Sequence, residues 1–229
     1  FLIVDDMSRA IINDARIDPA TGAAIYTFTE NPRIPNPRFN DILKKWIAYY
    51  DTDDTCVAIS VLTDYVSISD KIYRIQNRPL VAAAKKITEN RNLLRALSSH
   101  FDCVQKHAFP HEQKTFTAPH FGYLTYLTEG ANEIDPAVNI DILECLLKNR
   151  KAWEVFRDEK TLQQMNLALK YIYHCAEKGY LFSLMVPSYY TVTIITYLWK
   201  RYYQIYNQLS TQELHQFDPD NISKKIDVN

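Results

Sequence analysis

The spacing of apolar residues constrains this chain more than any other feature. Large apolar side chains recur every three or four positions, which is the period of one face of an α-helix. The period is found in the segments 38–50, 55–75, 90–106, 136–156, 161–178 and 189–209. The β-branched run "TVTIIT" is the one competing strand signal, and it lies within a helical stripe. The sequence therefore predicts an all-α fold, a single bundle of many helices.

Local signals place the ends of several predicted helices. Asp135 can cap a helix that starts at Pro136, and Ser210 with Glu213 forms a capping-box pattern. Gly179 is suited to end the preceding helix, and "DPATG" at 18–22 is typical of a turn. We expect the tail after the last short helix to fray. These signals give three regions: an irregular segment over 1–37, a helical domain over 38–209, and a short helix with a tail over 210–229.

Charge and cysteine usage exclude several classes of protein. The chain has 26 basic and 27 acidic side chains, so it lacks the positive field that nucleic-acid binding requires. The four cysteines are widely separated and form no CxxC pair, which indicates buried thiols in a reducing compartment. The opening "FLIVDDMSRA" does not resemble a signal peptide, and its missing Met suggests a fragment. We expect a cytoplasmic location.

Residues 179–199 carry no charge and approach the length of a membrane span. Pro187 divides this run, and its many hydroxyl groups would each need a partner in lipid. A buried turn followed by a core helix is the preferred interpretation. For the same reason of apolar spacing, we expect Trp46, Trp153 and Trp199 to lie in the core.

Candidate chemistry is sparse. On a continuous helix, His100, Cys103, His107 and His111 would share a face that could hold zinc, but Pro110 should interrupt that helix. No serine lies in GxSxG and no phosphate-binding glycine loop is present. The paired acids Asp5/Asp6 and Asp53/Asp54 are typical of solvated caps. No covalent chemistry, no cofactor and no metal are predicted.

The stretch "HFGYLTYLTEG", residues 120–130, holds two of the four glycines in the chain. A short helix over 123–129 would place Leu124 and Leu127 together, and Thr125 beside Glu129. A glutamate near the C-terminal end of a helix opposes the helix dipole. The stability of the predicted helix therefore does not explain a glutamate at position 129.

The chain resembles the catalytic domain of Ras-family guanine-nucleotide exchange factors. The resemblance covers about 38–164 and rests mainly on "APHFGYLTYLTEG", 118–130, which is similar to a Pro-x-Phe-Gly-x-Tyr-Leu-Thr…Glu-Gly block of the family. Weaker support comes from "RFNDILKKWIAYY", from "RPLVAAAKKI" and from "LLKNRKAWEVFRDEKTLQQ". The chain departs from the family in its shorter helix before Gly130 and in the single acid of "TEG".

The resemblance implies a helical hairpin that inserts into the nucleotide site of a small GTPase of the Ras superfamily. Glu129 would then mimic phosphate charge, while Leu127, Leu124 or Thr125 would act as the wedge. Asn77 would support the hairpin or contact the GTPase, and Tyr123 and Tyr126 would belong to the binding surface; Phe39 and Trp46 would be structural. Such a factor stabilises the nucleotide-free GTPase and breaks no covalent bond.

Two alternatives remain. The chain could be a noncatalytic helical adaptor or effector domain that binds protein partners through aromatic residues such as those of "KRYYQIYNQL", 200–209. It could also be a metal-dependent helical enzyme built on the four His and Cys residues above. If the chain is a secreted bacterial effector, the cytoplasm in question would be that of the host.

Overall fold

The computed structural model describes residues 2–26, 52–71, 78–104, 120–125, 134–179, 181 and 192–226. The described part is mostly helical, as the apolar spacing predicts, with two short antiparallel strand pairs. In chain order the elements are α1 (Leu2–Asp14), β1 (Arg16–Ile17), β2 (Ala24–Ile25), α2 (Thr52–Lys71), α3 (Arg78–Thr88), α4 (Asn92–Ser99), β3 (Phe101–Val104), β4 (His120–Tyr123), α5 (Pro136–Lys148), α6 (Glu159–Glu177), α7 (Val192–Tyr206) and α8 (Thr211–Phe217). Single 3-10 turns occur at Val155–Arg157 and Ile222–Lys224.

Helix α5 forms the centre of the core. Every residue from 136 to 147 is buried, and the helix packs against α2, α6 and α7. Its predicted start is confirmed: the carboxylate of Asp135 accepts hydrogen bonds from the N–H groups of Ala137 and Val138, and Pro136 occupies the first turn. A helix that is apolar on nearly all sides can only be stable inside the protein.

Helix α2 is buried on two sides. Cys56 and Ile59 belong to the main core around α5, whereas Leu62 and Tyr65 pack with Leu80 and Ala84 of α3 in a second apolar cluster. Ile68 is 43% exposed although it follows the same helical spacing. Apolar spacing predicts the helix but does not show which of its apolar residues are covered.

The first strand pair is a hairpin closed by the predicted turn. Strands β1 and β2 pair Arg16 with Ile25, and the turn between them is held by hydrogen bonds to the Asp18 carboxylate. Gly22 has a φ of +71°, a backbone conformation that side chains with a Cβ rarely adopt. In contrast to the expected irregular segment over 1–37, Leu2–Asp14 forms a helix.

The second strand pair contradicts the predicted helix over 90–106. Helix α4 ends at Ser99, and Phe101–Val104 pairs as an antiparallel strand with His120–Tyr123. The hydrogen bond from the Leu124 N–H to the His100 carbonyl continues this ladder. A partner strand far away in sequence provides those hydrogen bonds, and local periodicity does not contain that information.

The C-terminal predictions are confirmed except for the tail. Helix α6 ends before Gly179, whose φ is +70°, and α8 begins with the Ser210–Glu213 capping box. The tail does not fray over 218–226, because Ile222, Ser223 and Ile226 are buried and Asp218 accepts two backbone N–H groups. Trp153 and Trp199 lie in the core as predicted. The predicted helix over 38–50, with Trp46 and Phe39, lies outside the described residues.

Candidate functional site

Tyr123, Leu124 and Thr125 belong to a buried connection in the core. Their exposed fractions are 1%, 7% and 4%. Two hydrogen bonds of 2.9 Å fix the connection to the start of α2: the Thr52 N–H donates to the Thr125 carbonyl, and the Thr52 hydroxyl donates to the Leu124 carbonyl. The expectation of a short helix over 123–129 is therefore not met at its first three residues: Tyr123 is the last residue of β4, and Leu124 and Thr125 follow it in non-helical backbone.

Close packing explains Gly122 in this stretch. A Cβ placed there would lie 2.8 Å from Cγ2 of Ile134 and 3.1 Å from Oδ1 of Asn139. The Asn139 side chain accepts from the Tyr123 N–H at 2.9 Å and donates to the Tyr123 carbonyl at 3.0 Å. Gly122 thus allows α5 to approach β4, whereas the sequence suggested a helix boundary.

The other residues singled out by the resemblance lie outside the described residues. These are Glu129, Leu127, Tyr126 and Asn77. Their roles as phosphate mimic, wedge and partner contacts stay predictions. The structure brings none of the seven predicted site residues to a described surface, since the three it does describe are buried.

The structure does not form the continuous helical face that would bring His100 and Cys103 together. His100 follows the last residue of α4 and Cys103 lies in β3, so a continuous helix does not join them. His107 and His111 lie outside the described residues. Among the residues that are described, no group of three or more His, Cys, Asp or Glu side chains is arranged to hold a metal ion.

A charged cleft between α2, α5 and α7 is the candidate functional site. Its volume is about 490 Å³. The walls combine hydroxyl, amide and charged side chains and contain little apolar surface. They are formed by Thr63, Asp64, Ser67, Glu144, Lys148, Arg150, Tyr197, Arg201, Gln204, Ile205 and Gln208. The cleft is wide enough for several side chains of a partner.

Glu144 organises the charges of this cleft. It is only 3% exposed, and its two carboxylate oxygens lie 2.6 Å from Nη2 of Arg201 and 3.5 Å from Nζ of Lys148. Lys148 also donates to the Asp64 carboxylate at 2.7 Å. Burial alone would lower the pKa of Arg201, but the carboxylates of Glu144 and Asp141 raise it above its ordinary value. The cations are thus held by a buried anion in fixed positions.

Exposed Tyr197 of α7 forms one edge of the cleft. Tyr197 is 59% exposed, and the guanidinium carbon of Arg201 lies 5.6 Å from the centroid of its ring. Ile194, one turn earlier on the same side of the helix, is 39% exposed. The cation–π contact orients the tyrosine ring beside the charged wall. An aromatic ring next to an arginine is a combination enriched at protein interfaces.

Arg150 extends the charged wall towards the C-terminal part of the chain. Its Nε donates to the Glu213 carboxylate at 3.2 Å, and its Nη1 donates to the Leu147 carbonyl at 2.9 Å. The same Glu213 side chain closes the capping box with Ser210. The Arg150 side chain of the cleft is therefore connected, through Glu213, to the first turn of α8.

Two carboxyl groups lie where α2 packs against α5. Asp53 is in the first turn of α2 and Asp141 in the middle of α5, and burial raises the pKa of both. Burial raises the pKa of Asp54 to about 6, and the charge of Asp53 adds to this effect. The expectation that Asp53 and Asp54 stay solvated is met only in part, because both lie in the first turn of α2 and are half-buried.

Sequence reasoning missed these residues although one signal was present. In "NIDILECLLK", Asp141 and Glu144 interrupt an otherwise apolar run, yet the helical face that they occupy is buried. Buried carboxyl groups need partners, so acids inside such a run indicate a polar site. The spacing of Glu144 and Lys148 by four residues supports the same interpretation.

The comparisons with known proteins add no neighbour to this description. No family model, no curated protein and no solved structure matches the chain. Over the part of the chain that the structure describes, each helix is too short or too polar to cross a membrane.

Proposed function

We propose that this chain is a helical protein-binding domain whose partner contacts the charged cleft and its α7 edge. The observation that carries the proposal is the ordered row of Lys148, Arg201 and the exposed Tyr197 around the buried Glu144. Charged groups that are already fixed in place lose little conformational freedom when a partner binds them.

The charge balance of the cleft supports a protein partner over a phosphate or a nucleic acid. Its three cations, Lys148, Arg150 and Arg201, each contact a carboxylate. A phosphate would have to displace those acids. A protein partner offers both hydrogen-bond donors and acceptors. It can therefore bond to carboxylate oxygens and N–H groups of these ion pairs without separating the pairs.

A small GTPase of the Ras superfamily is the specific partner that we propose, and this rests on the resemblance in "APHFGYLTYLTEG". Helix α5 and Arg150, which form walls of the cleft, lie within the stretch of about 38–164 that the resemblance covers. In this proposal, Glu129 promotes nucleotide release and the cleft contributes affinity. Three described cysteines are free and buried, which supports the proposed cytosolic location.

Binding can be tested with a photo-crosslinking amino acid at Tyr197, an exposed position whose replacement leaves the core intact. Lys170, which is exposed on α6, provides a matched control position. With purified GTPases in nucleotide-free form, we expect crosslinks from position 197 that Arg201→Ala reduces, and none from position 170. Equal crosslinking from both positions would contradict the use of this cleft.

Nucleotide release from the same GTPases tests the specific form of the proposal. We expect faster release with the wild-type chain and loss of that effect with Glu129→Ala. Tyr197→Ala should weaken binding and require more protein for the same rate. If no GTPase responds but crosslinking at position 197 is specific for another protein, the adaptor form holds and the exchange form is wrong.

A further inference from the structure

A small pocket lies between the β1–β2 turn and the C-terminal end of α4, and it shares no residue with the charged cleft. Its volume is about 210 Å³. One part of its wall is apolar and consists of Ala20, Ile25 and Ala96. The other part carries side-chain oxygen and nitrogen atoms and consists of Asp18, Thr21, Ser99 and His100. The hydrogen bonds that these four side chains already form determine what the pocket can bind.

The two hydroxyl groups of the pocket have already donated their protons. The Thr21 hydroxyl donates to Oδ2 of Asp18, and the Ser99 hydroxyl donates to the Ala96 carbonyl at 2.8 Å. A hydroxyl group has one proton and two lone pairs. Each of these two oxygens therefore has only lone pairs left for a ligand.

The imidazole of His100 is fixed in one tautomer by the same carbonyl. Its Nδ1 lies 2.9 Å from the Ala96 carbonyl oxygen and 3.1 Å from the Ser99 hydroxyl oxygen. A carbonyl oxygen only accepts, so Nδ1 carries the proton, and in the neutral ring Nε2 is then an acceptor. Within the described part of the chain, Nε2 forms no hydrogen bond.

Asp18 adds a negative charge to this set of acceptors. Its Oδ2 accepts from the N–H and the hydroxyl of Thr21, whereas Oδ1 accepts only from the Ala20 N–H, at 3.2 Å. Burial alone would raise the pKa of Asp18, but these hydrogen bonds and the nearby His100 lower it below its ordinary value, so the carboxyl group is ionised at neutral pH. A lone pair remains on Oδ1, and no described Lys or Arg forms a salt bridge with it.

We propose that this pocket binds a primary ammonium group, carried either by a small free amine or by a lysine side chain. Such a group has three N–H donors and a positive charge. The donors match the Asp18 carboxylate, Nε2 of His100 and the Ser99 hydroxyl oxygen, while the attached aliphatic carbons contact the apolar part of the wall. The proposal concerns a site apart from the charged cleft and does not depend on the function proposed there.

The same pattern of acceptors argues against other ligands. A phosphate or carboxylate would bring further acceptors and a negative charge towards Asp18. A quaternary ammonium has no N–H donor and is typically held by aromatic rings, whereas the described lining contains no Phe, Tyr or Trp. Zinc sites use at least three protein ligands, and the described lining supplies only Asp18 and His100 as residues of the usual types.

NMR of the backbone amides of the full chain, titrated with n-butylammonium chloride, tests the proposal. We expect saturable shifts at residues 18–25 and 96–100, and no saturable shifts there with sodium butyrate or tetramethylammonium chloride. Asp18→Asn keeps the shape of the side chain and removes its charge, so it should weaken binding about tenfold or more. Asp220→Asn, a matched change of an exposed aspartate outside the pocket, should leave binding unchanged.

A second variant keeps the test decisive if Asp18→Asn alters the turn. Ala20→Leu fills the pocket with a larger side chain and keeps the hydrogen bonds around Asp18, so it should abolish binding. Unchanged binding in Ala20→Leu, no saturable shift with the amine, or equal shifts with butyrate would overturn the proposal. Shifts at these residues with zinc chloride but not with the amine would overturn it as well.

A further probe, Nα-acetyl-lysine amide, distinguishes the two sources of the ammonium group. Binding as tight as that of n-butylammonium would assign the pocket to a lysine side chain of a polypeptide. Binding of n-butylammonium alone would assign it to a free amine, because the peptide groups of the lysine probe then prevent its entry. Both results support recognition of a primary ammonium group.

Discussion

Replacing Asn139 with alanine should remove the attachment between α5 and β4. The side chain is fully buried and forms hydrogen bonds of 2.9 Å and 3.0 Å with the N–H and carbonyl of Tyr123. Successive residues of an edge strand direct their backbone N–H and carbonyl groups to opposite sides. The Leu124 N–H bonds to the His100 carbonyl on the side of β3, so the backbone groups of Tyr123 point away from β3, towards α5. Asn139 thus takes the place of a neighbouring strand.

The magnitude follows from the two groups left without a partner. Each buried, unpaired backbone group lowers the free energy of unfolding by about 1–3 kcal/mol, so Asn139→Ala should lose about 4 kcal/mol. A third hydrogen bond, from Nδ2 to the Asp135 carbonyl, adds little because that carbonyl also accepts the backbone N–H of residue 139.

Urea denaturation followed by circular dichroism and by tryptophan fluorescence would measure the loss. Asn166→Ala is a matched control, since this half-buried side chain donates one hydrogen bond, to the Phe217 carbonyl at 3.0 Å. We expect about 1 kcal/mol there. A loss of less than about 1 kcal/mol for Asn139→Ala would refute the reasoning, because it would show that Tyr123 finds other partners.

Three further changes test other parts of the structure in the same denaturation assay. Gly122→Ala places a Cβ against Ile134 and should lower the free energy of unfolding by about 1–3 kcal/mol; an unchanged value would mean that α5 can move away freely. Ser210→Ala removes the cap of α8 and should lose about 1 kcal/mol; no loss would show that α8 is held by packing alone. Asp54 has a raised pKa of about 6, so the folded state binds its proton more tightly than the unfolded state does, and stability should fall as pH rises from about 4 through 6. Asp54→Asn should flatten that part of the pH profile, and an identical profile would contradict the raised pKa.

Sequence reasoning succeeded where the signal is local. Asp135 and Pro136 mark the start of α5, and Ser210 with Glu213 marks the start of α8, because capping involves residues that are neighbours along the chain. Gly179 likewise ends α6 through its own backbone preference. These predictions needed no knowledge of tertiary contacts.

Sequence reasoning failed where a distant segment decides the local structure. The apolar residues over 90–106 do follow the helical period. Phe101–Val104 is nevertheless a strand, because His120–Tyr123 pairs with it. The sequence suggests that Gly122 marks the boundary of a helix. In the structure, a glycine is needed there because Ile134 and Asn139 lie too close for a Cβ atom. In both cases the deciding atoms come from residues that are remote in sequence.

The sequence by itself determined that the described chain is mainly helical, since the period of apolar residues is a property of each segment alone. Only the tertiary structure decided which faces are buried and where the acids lie. Asp53 and Asp141 are 88 positions apart in the chain, and they belong to two helices that come together only because α2 packs on α5. The charged cleft arises in the same way, because Glu144 and Arg201 belong to different helices and meet only when α5 and α7 pack.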